Sequence, residues 1–163
     1  MSKKNWKTAQ ELMAELNSNP DFLRRKAEKE QRRKEREEHF GAMERPIVDR
    51  LRARGFDAPS IVDAVKKYSP LPDEIVDEFL KGVENSTDLR FLETLIRGLG
   101  AAARPFDGRP LIKCYDTFKD DNLRWVIANT IALARPHSID NWLEDALRNP
   151  VLGKTLRELG IDK

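Results

Sequence analysis

Few side chains in this sequence combine the type and the spacing that catalysis or ligand binding requires. The tripeptide Gly153-Lys154-Thr155 matches the last three residues of a phosphate-binding loop. That motif also needs a preceding strand and a glycine at position 148, because its backbone amides must surround phosphate oxygens. Arg148 occupies that position, and no strand pattern comes before it. We therefore predict no nucleotide site at this tripeptide.

The two histidines and the single cysteine form no recognisable catalytic or metal-binding set. His39, Cys114 and His137 lack the short spacings of zinc ligands, and nothing places a serine, a histidine and an aspartate together. Cys114 lies in the apolar run from Pro110 to Tyr115, which favours a buried structural thiol. A single cysteine excludes an internal disulfide and is typical of a reducing compartment. We predict no catalytic residue, no metal site and no cofactor, hence a protein that is not an enzyme.

Neighbouring carboxylates, which can share a proton in catalysis, occur at Asp73-Glu74, Asp77-Glu78 and Asp120-Asp121. Acidic side chains at the start of a helix are stabilised by the positive end of its dipole. We interpret these three pairs as helix caps and solvated helix faces.

Composition narrows the class of protein. The chain has 163 residues, of which 36% are charged, and a formal net charge of +2. This net charge is too small for strong global attraction to nucleic acid or to a membrane. No stretch approaches the ~18 apolar residues of a membrane helix, and the N-terminal residues lack the apolar segment of a signal peptide. We predict a cytoplasmic protein without membrane contact.

The chain is divided into a helical arm, residues 1–45, and a folded domain, residues 46–163. The arm starts with apolar residues on one helical face, namely Trp6, Leu12, Met13 and Leu16. In Arg24–Glu38, 13 of 15 residues are charged, eight basic and five acidic, which favours a solvated helix supported by i,i+4 ion pairs. Nucleic-acid or acidic-partner binding through Arg24–Lys34 is the less favoured alternative. The interspersed acids offset its charge, and no aromatic lies in the run to stack on bases.

The folded domain has helical periodicity throughout and no convincing alternation of a β-strand, so we predict an all-α fold. Proline, glycine and capping residues separate the predicted helices. Their predicted ranges are 46–55, 59–68, 73–83, 87–103, 111–118, 120–134, 139–148 and a shorter stretch ending at Leu159-Gly160.

A helix-like segment occurs twice, 34 residues apart. Leu89-Arg90-Phe91-Leu92 and Leu123-Arg124-Trp125-Val126 both follow a capping-type acidic lead-in. Such a period is typical of stacked helical hairpins, each of which needs a neighbour to bury its apolar face. We expect eight apolar side chains to fill the space between the hairpins: Phe91, Leu92, Leu95, Leu99, Trp125, Ile127, Ile131 and Leu133.

This arrangement resembles HEAT-type repeats, which build α-solenoids, over roughly residues 73–159. In HEAT units an Asp precedes the second helix, an aliphatic-Arg pair follows, and small residues pack on the next unit. Asp120, Leu123-Arg124, Ala128 and Ala132 match that order, whereas in the earlier unit Ser86 stands at the Asp position and Thr94 and Gly98 replace the alanines. The resemblance implies a structural role for Arg90 and Arg124 and a degenerate final unit at Pro150–Gly153. It also implies about three hairpins.

Some HEAT-like solenoids are DNA glycosylases that use Trp, Asp and Arg on a basic face. Trp125, Trp142, Asp121 and Arg124 have the required types, but both tryptophans lie at core-like positions. We therefore predict a non-catalytic protein-binding repeat module, an adaptor or immunity-like neutralising protein with a protein partner. A nucleic-acid-binding or glycosylase-like HEAT protein is the alternative.

Overall fold

The computed structural model describes residues 7–161. They divide into two compact units, the first ending at Ala42 and the second starting at Met43. Within the described residues all regular secondary structure is α-helical, so the predicted all-α class is confirmed. The helices are α1 Ala9–Ser18, α2 Pro20–Ala53, α3 Ile61–Tyr68, α4 Asp73–Asn85, α5 Leu89–Leu99, α6 Arg109–Thr117, α7 Asp121–Ala134, α8 Asp140–Arg148 and α9 Pro150–Glu158.

The N-terminal unit contains α1 and most of α2. Thr8 and Glu11 form a capping box at the start of α1. Asn19 accepts hydrogen bonds from the first amides of α2, next to a proline in the first turn. The predicted amphipathic face is largely uncovered, since Leu12 and Met13 are exposed, and Trp6 lies outside the described residues.

The predicted helix start at Pro46 is wrong, because α2 runs without interruption through Pro46 to Ala53. Proline has no N–H to donate to the carbonyl of Ala42 and is unfavourable inside a helix. Burial of Ile47, Val48 and Leu51 in the second unit stabilises this last part of α2.

In the second unit, consecutive helices form hairpins that lie side by side. α4 packs on α5, α6 on α7 and α8 on α9. Between hairpins, α5 contacts α3 and α7, α7 contacts α9, and α4 contacts α6. The buried Thr130 hydroxyl donates to the Ile96 carbonyl at 2.9 Å, which joins α7 directly to α5.

In two of these hairpins, the loop before the first helix forms a short backbone pairing with the loop after the second helix. Leu71 pairs with Ala102 around α4 and α5, and Asp107 pairs with His137 around α6 and α7. Leu71 donates to the Ala101 carbonyl at 2.7 Å, and Gly108 donates to the His137 carbonyl at 2.9 Å. The two hairpins therefore have equivalent ends.

The 34-residue spacing of the sequence repeat does not match the spacing of the helices. The N-caps of α5 and α7, Asp88 and Asp120, are 32 residues apart. Helix α6 has 9 residues against 13 in α4, so the second hairpin reaches its second helix earlier. Two residues turn a helix by about 200°, so side chains aligned by the sequence repeat point to different sides.

This difference in register explains two errors in the predicted core. Phe91 is buried, but Trp125, its partner in the sequence repeat, is 47% exposed, and Leu133 is 65% exposed. The residue 32 positions after Phe91 is Leu123, which is buried. The other six predicted core residues are buried: Phe91, Leu92, Leu95, Leu99, Ile127 and Ile131.

Candidate functional site

The residues considered for nucleophilic and metal chemistry occupy separate structural positions. Cys114 is buried in α6, as predicted, and burial raises the pKa of its thiol to about 11. His39 lies on α2, and His137 lies in the loop after α7, where its ring nitrogen Nδ1 is 2.9 Å from the hydroxyl of Ser138. Among residues 7–161, no three His, Cys, Asp or Glu side chains are grouped so as to hold a metal ion.

The Gly153-Lys154-Thr155 tripeptide lies inside α9 and not in a loop. Gly153 is buried, and a Cβ added there would lie against the carbonyl of Leu147, near the end of α8. The glycine is therefore explained by the close approach of α9 to α8.

The aspartates that precede the repeated helices act as N-caps. Asp88 accepts a hydrogen bond from the Phe91 amide at 2.9 Å, and Asp120 accepts one from the Leu123 amide at 2.8 Å. Ser86, which the repeat aligns with the family's Asp, instead bonds the amide of Asp88 at 3.2 Å.

Of the four residues compared with a glycosylase site, Asp121 is exposed in the first turn of α7, and the other three divide into two groups. Trp142 packs edge-on against Tyr115, with ring centroids 5.3 Å apart, and the Arg124 guanidinium lies over the same ring at 4.8 Å. Arg124 also donates to the Phe118 carbonyl at 3.1 Å, so it ties α7 to the loop that leads into it. Trp125 contacts Arg97 on α5, at 5.9 Å from the guanidinium to the ring centroid.

A different cluster, not predicted from the sequence, is centred on Trp125. We define the Trp125 surface as Glu93 and Arg97 of α5 together with Asn122, Trp125 and Leu133 of α7. Arg97 donates to one carboxylate oxygen of Glu93 through Nε at 3.0 Å and through Nη2 at 2.8 Å. Asn122 donates to the other oxygen of Glu93 at 2.9 Å. The polar side chains of both helices are therefore held in place around the indole.

The Trp125 surface is also rich in exposed apolar area. Leu133 lies 3.4 Å from the position that a Cβ of Gly100 would take, so it covers the end of α5. Among the other helices that contact α5 or α7, exposed large apolar side chains occur singly, as Val62 on α3 and Val151 on α9. Most exposed apolar side chains of a monomer are isolated, whereas aromatic and arginine side chains are enriched in interfaces.

The burial of Glu78 is a second feature that the sequence did not predict. The sequence predicts a solvated helix face for Glu78, but its side chain is fully buried. Its carboxylate oxygens lie 2.5 Å from a nitrogen of Arg50, 3.0 Å from one of Arg54 and 3.0 Å from that of Lys81. Burial alone raises the pKa of Glu78, but hydrogen bonds from Arg50 and Lys81 hold it below its usual value. This ion cluster joins the end of α2 to α4, which is a structural role.

Sequence reasoning missed the Trp125 surface because it aligned helices by residue type. The available signal was the spacing of the N-caps, Asp88 and Asp120, which places Trp125 on a different helix face from Phe91.

No helix among residues 7–161 combines the length and the apolar character that crossing a bilayer demands. Comparison of the chain with protein-family models, with curated proteins and with solved structures gives no match.

Proposed function

We propose that this chain is a non-catalytic protein-binding module whose helical hairpins form a short HEAT-like α-solenoid. Two observations support the repeat arrangement: α3, α5, α7 and α9 pack side by side in chain order, and two hairpins are closed by equivalent backbone pairings. In such arrays each unit contacts only its neighbours, and the exposed face is available for a partner.

The Trp125 surface is the proposed binding site. The observation that carries this proposal is a tryptophan 47% exposed on a helix face, beside an arginine whose position is set by two bonds to Glu93. Trp and Arg supply a disproportionate share of binding energy at protein interfaces. A side chain that is already held in position loses less conformational entropy when a partner binds.

The partner is a protein that presents an acidic side chain next to an apolar one. Arg97 uses Nε and Nη2 for Glu93, and 48% of its side chain is exposed, so its remaining N–H groups can donate to a carboxylate. Trp125 and Leu133 provide exposed apolar area on α7. A charged hydrogen bond to Arg97 combined with apolar contact to Trp125 would give the partner both affinity and a fixed orientation.

The test compares the tagged full chain with three single variants, Trp125→Ala, Arg97→Ala and Val151→Ala, in affinity capture, followed by calorimetric titration with the captured protein. Trp125→Ala should weaken binding by about 30-fold or more, which corresponds to the ~2 kcal/mol of an interface hot spot. Val151→Ala removes an exposed aliphatic side chain outside the Trp125 surface and should leave the dissociation constant unchanged. Equal affinity of wild type, Trp125→Ala and Arg97→Ala would refute this site.

A further inference from the structure

The charged part of α2 presents one face on which basic side chains are aligned. Arg25, Lys29, Arg32 and Arg36 follow each other at intervals of four, three and four residues, which places them on one side of a helix. We call these four residues the basic stripe. All four are exposed, and they line one shallow groove along the helix together with Glu28, Glu35 and His39.

Several acidic residues around the stripe are engaged by other side chains of α2. Arg33 binds Glu30 at 2.6 Å and approaches Glu37 at 3.8 Å, and Gln31 donates to Glu35 at 2.9 Å. Arg33 lies outside the stripe. Within the stripe, Arg36 donates through Nε to the Arg32 carbonyl at 3.1 Å, and its side chain stays exposed. Basic and acidic residues alternate along the sequence of Arg24–Glu38, but around the helix four of the basic side chains lie together on one side.

The geometry of the stripe fits a linear polyanion. Eleven residues of α-helix span about 16 Å, so the four cations recur about every 5 Å along a straight line. A duplex carries closely and regularly spaced phosphates along each strand, and its major groove admits an α-helix. None of the stripe residues is an aromatic that could stack on a base, which favours contact with the backbone.

The charged part of α2 that carries the stripe lacks the apolar face that membrane binding requires. Between Arg24 and Glu38 the only apolar residue is Ala27. A helix that lies on a bilayer inserts an apolar face, and charge alone gives weaker attachment. The exposed stripe therefore favours nucleic acid over an anionic lipid surface.

We propose that the basic stripe of α2 binds the phosphate backbone of double-stranded nucleic acid without sequence preference. Each cation that contacts a phosphate releases condensed counterions, so binding is strongest at low salt. This interaction is independent of the Trp125 surface, because it rests on different residues in a different unit of the chain.

The experiment uses the full-length protein and a fluorescently labelled mixed-sequence DNA duplex of about 20 base pairs, a length that exceeds the stripe. Fluorescence anisotropy gives the association constant between 50 and 200 mM NaCl, the range over which such contacts weaken steeply. If four phosphates are contacted, the logarithm of the constant should fall with the logarithm of salt with a slope of about −3.6. Removing three of the contacts should reduce the slope to about −1.

Two triple variants with the same change in net charge separate the stripe from general electrostatics. Arg25→Gln/Lys29→Gln/Arg32→Gln removes stripe cations, whereas Arg24→Gln/Lys26→Gln/Lys34→Gln removes cations from other sides of α2. Glutamine is a good helix former, and circular dichroism checks that helicity is kept. The stripe variant should lose at least tenfold in affinity at 50 mM NaCl, and the control should retain the wild-type slope of about −3.6.

Three results would overturn the proposal. The wild type could fail to bind the duplex at 50 mM NaCl, the two triple variants could lose affinity equally, or the protein could bind vesicles containing phosphatidylserine while it ignores DNA. The last result would assign the stripe to an anionic lipid surface instead.

Discussion

At the scale of single residues, Trp125 shows how a repeated motif can mislead. Phe91 and Trp125 occupy the same place in a Leu-Arg-aromatic-aliphatic motif, yet only Phe91 is buried. The motif repeats the residue types, while the N-caps and the length of the preceding helix determine the orientation of each side chain. An aromatic that the motif assigns to the core is therefore available on the surface.

The two aromatics should differ sharply when they are truncated. Phe91→Ala removes a buried ring and should lower the free energy of unfolding by about 3–5 kcal/mol. Trp125→Ala removes a half-exposed ring that contacts Arg97 and should cost about 1 kcal/mol or less. Urea denaturation followed by circular dichroism measures both. Similar losses for the two variants would contradict the register described for α7.

The ion cluster of Glu78 makes stability depend on pH. The pKa of Glu78 is lower in the folded protein than its usual value of 4.5, so the folded state binds this proton less readily than the unfolded state. The stabilisation is therefore complete above about pH 4.5 and is lost as pH falls through the lowered folded pKa.

Replacement of Glu78 by glutamine should remove this pH dependence. At pH 7 Glu78→Gln should lower the free energy of unfolding by about 2 kcal/mol, the value typical of hydrogen bonds to a buried charged group. The difference between variant and wild type should shrink as pH falls below about 4.5, because the wild-type carboxylate becomes neutral. Urea midpoints at pH 7, 5, 4 and 3 test this, and a difference that stays constant over the series would rule it out.

At the scale of helices and hairpins, close approach between neighbours explains local sequence. α9 lies so near the end of α8 that only glycine fits at position 153, where a Cβ would meet the Leu147 carbonyl. The glycine of the tripeptide Gly153-Lys154-Thr155 thus has a packing reason.

Substitution of two helical glycines should have opposite effects. Gly153→Ala forces the last hairpin apart and should lower the free energy of unfolding by about 1–3 kcal/mol. Gly41→Ala is the matched control, because a Cβ there meets nothing within 4 Å. Alanine has the higher helix propensity, so the control should leave stability unchanged or raise it by up to about 1 kcal/mol. Thermal unfolding of both variants distinguishes these outcomes, and an unaffected Gly153→Ala would contradict the packing of α9 on α8.

At the scale of the whole molecule, the two units differ in how they are stabilised. The described part of the N-terminal unit is almost entirely exposed, whereas the second unit contains all of the fully buried side chains found among residues 7–161. Burial of large apolar side chains stabilises by roughly 1.5–3 kcal/mol each, so cooperative stability should come from the second unit.

A chain limited to residues 43–163 should therefore fold alone. Its urea midpoint should match that of the full chain, because the removed helices contribute no buried core. Its binding of the DNA duplex should be lost, while its affinity for the captured protein partner should be retained. A shortened chain that fails to unfold cooperatively would show that stability is shared between the units.

Much of the architecture follows from the sequence because its determinants are local. The helices predicted over 59–68, 73–83, 111–118, 120–134 and 139–148 agree with α3, α4, α6, α7 and α8 to within two residues at each end, whereas the one predicted over 87–103 ends at Leu99. The capping and apolar-spacing signals behind these predictions depend on hydrogen bonds and side chains a few positions apart, so they can be recognised without knowing the fold. The HEAT-like arrangement remains a proposal.

Tertiary structure alone decided which face of each helix is buried and which distant residues meet. Pro46 lies inside α2 because Ile47, Val48 and Leu51 are buried in the second unit. The contact of Arg97 with Trp125 and that of Arg50 with Glu78 each join residues 28 positions apart. The free energy of such contacts depends on helix lengths and neighbours, which residue types alone do not encode. The surface proposed to bind a partner could therefore be located only in three dimensions.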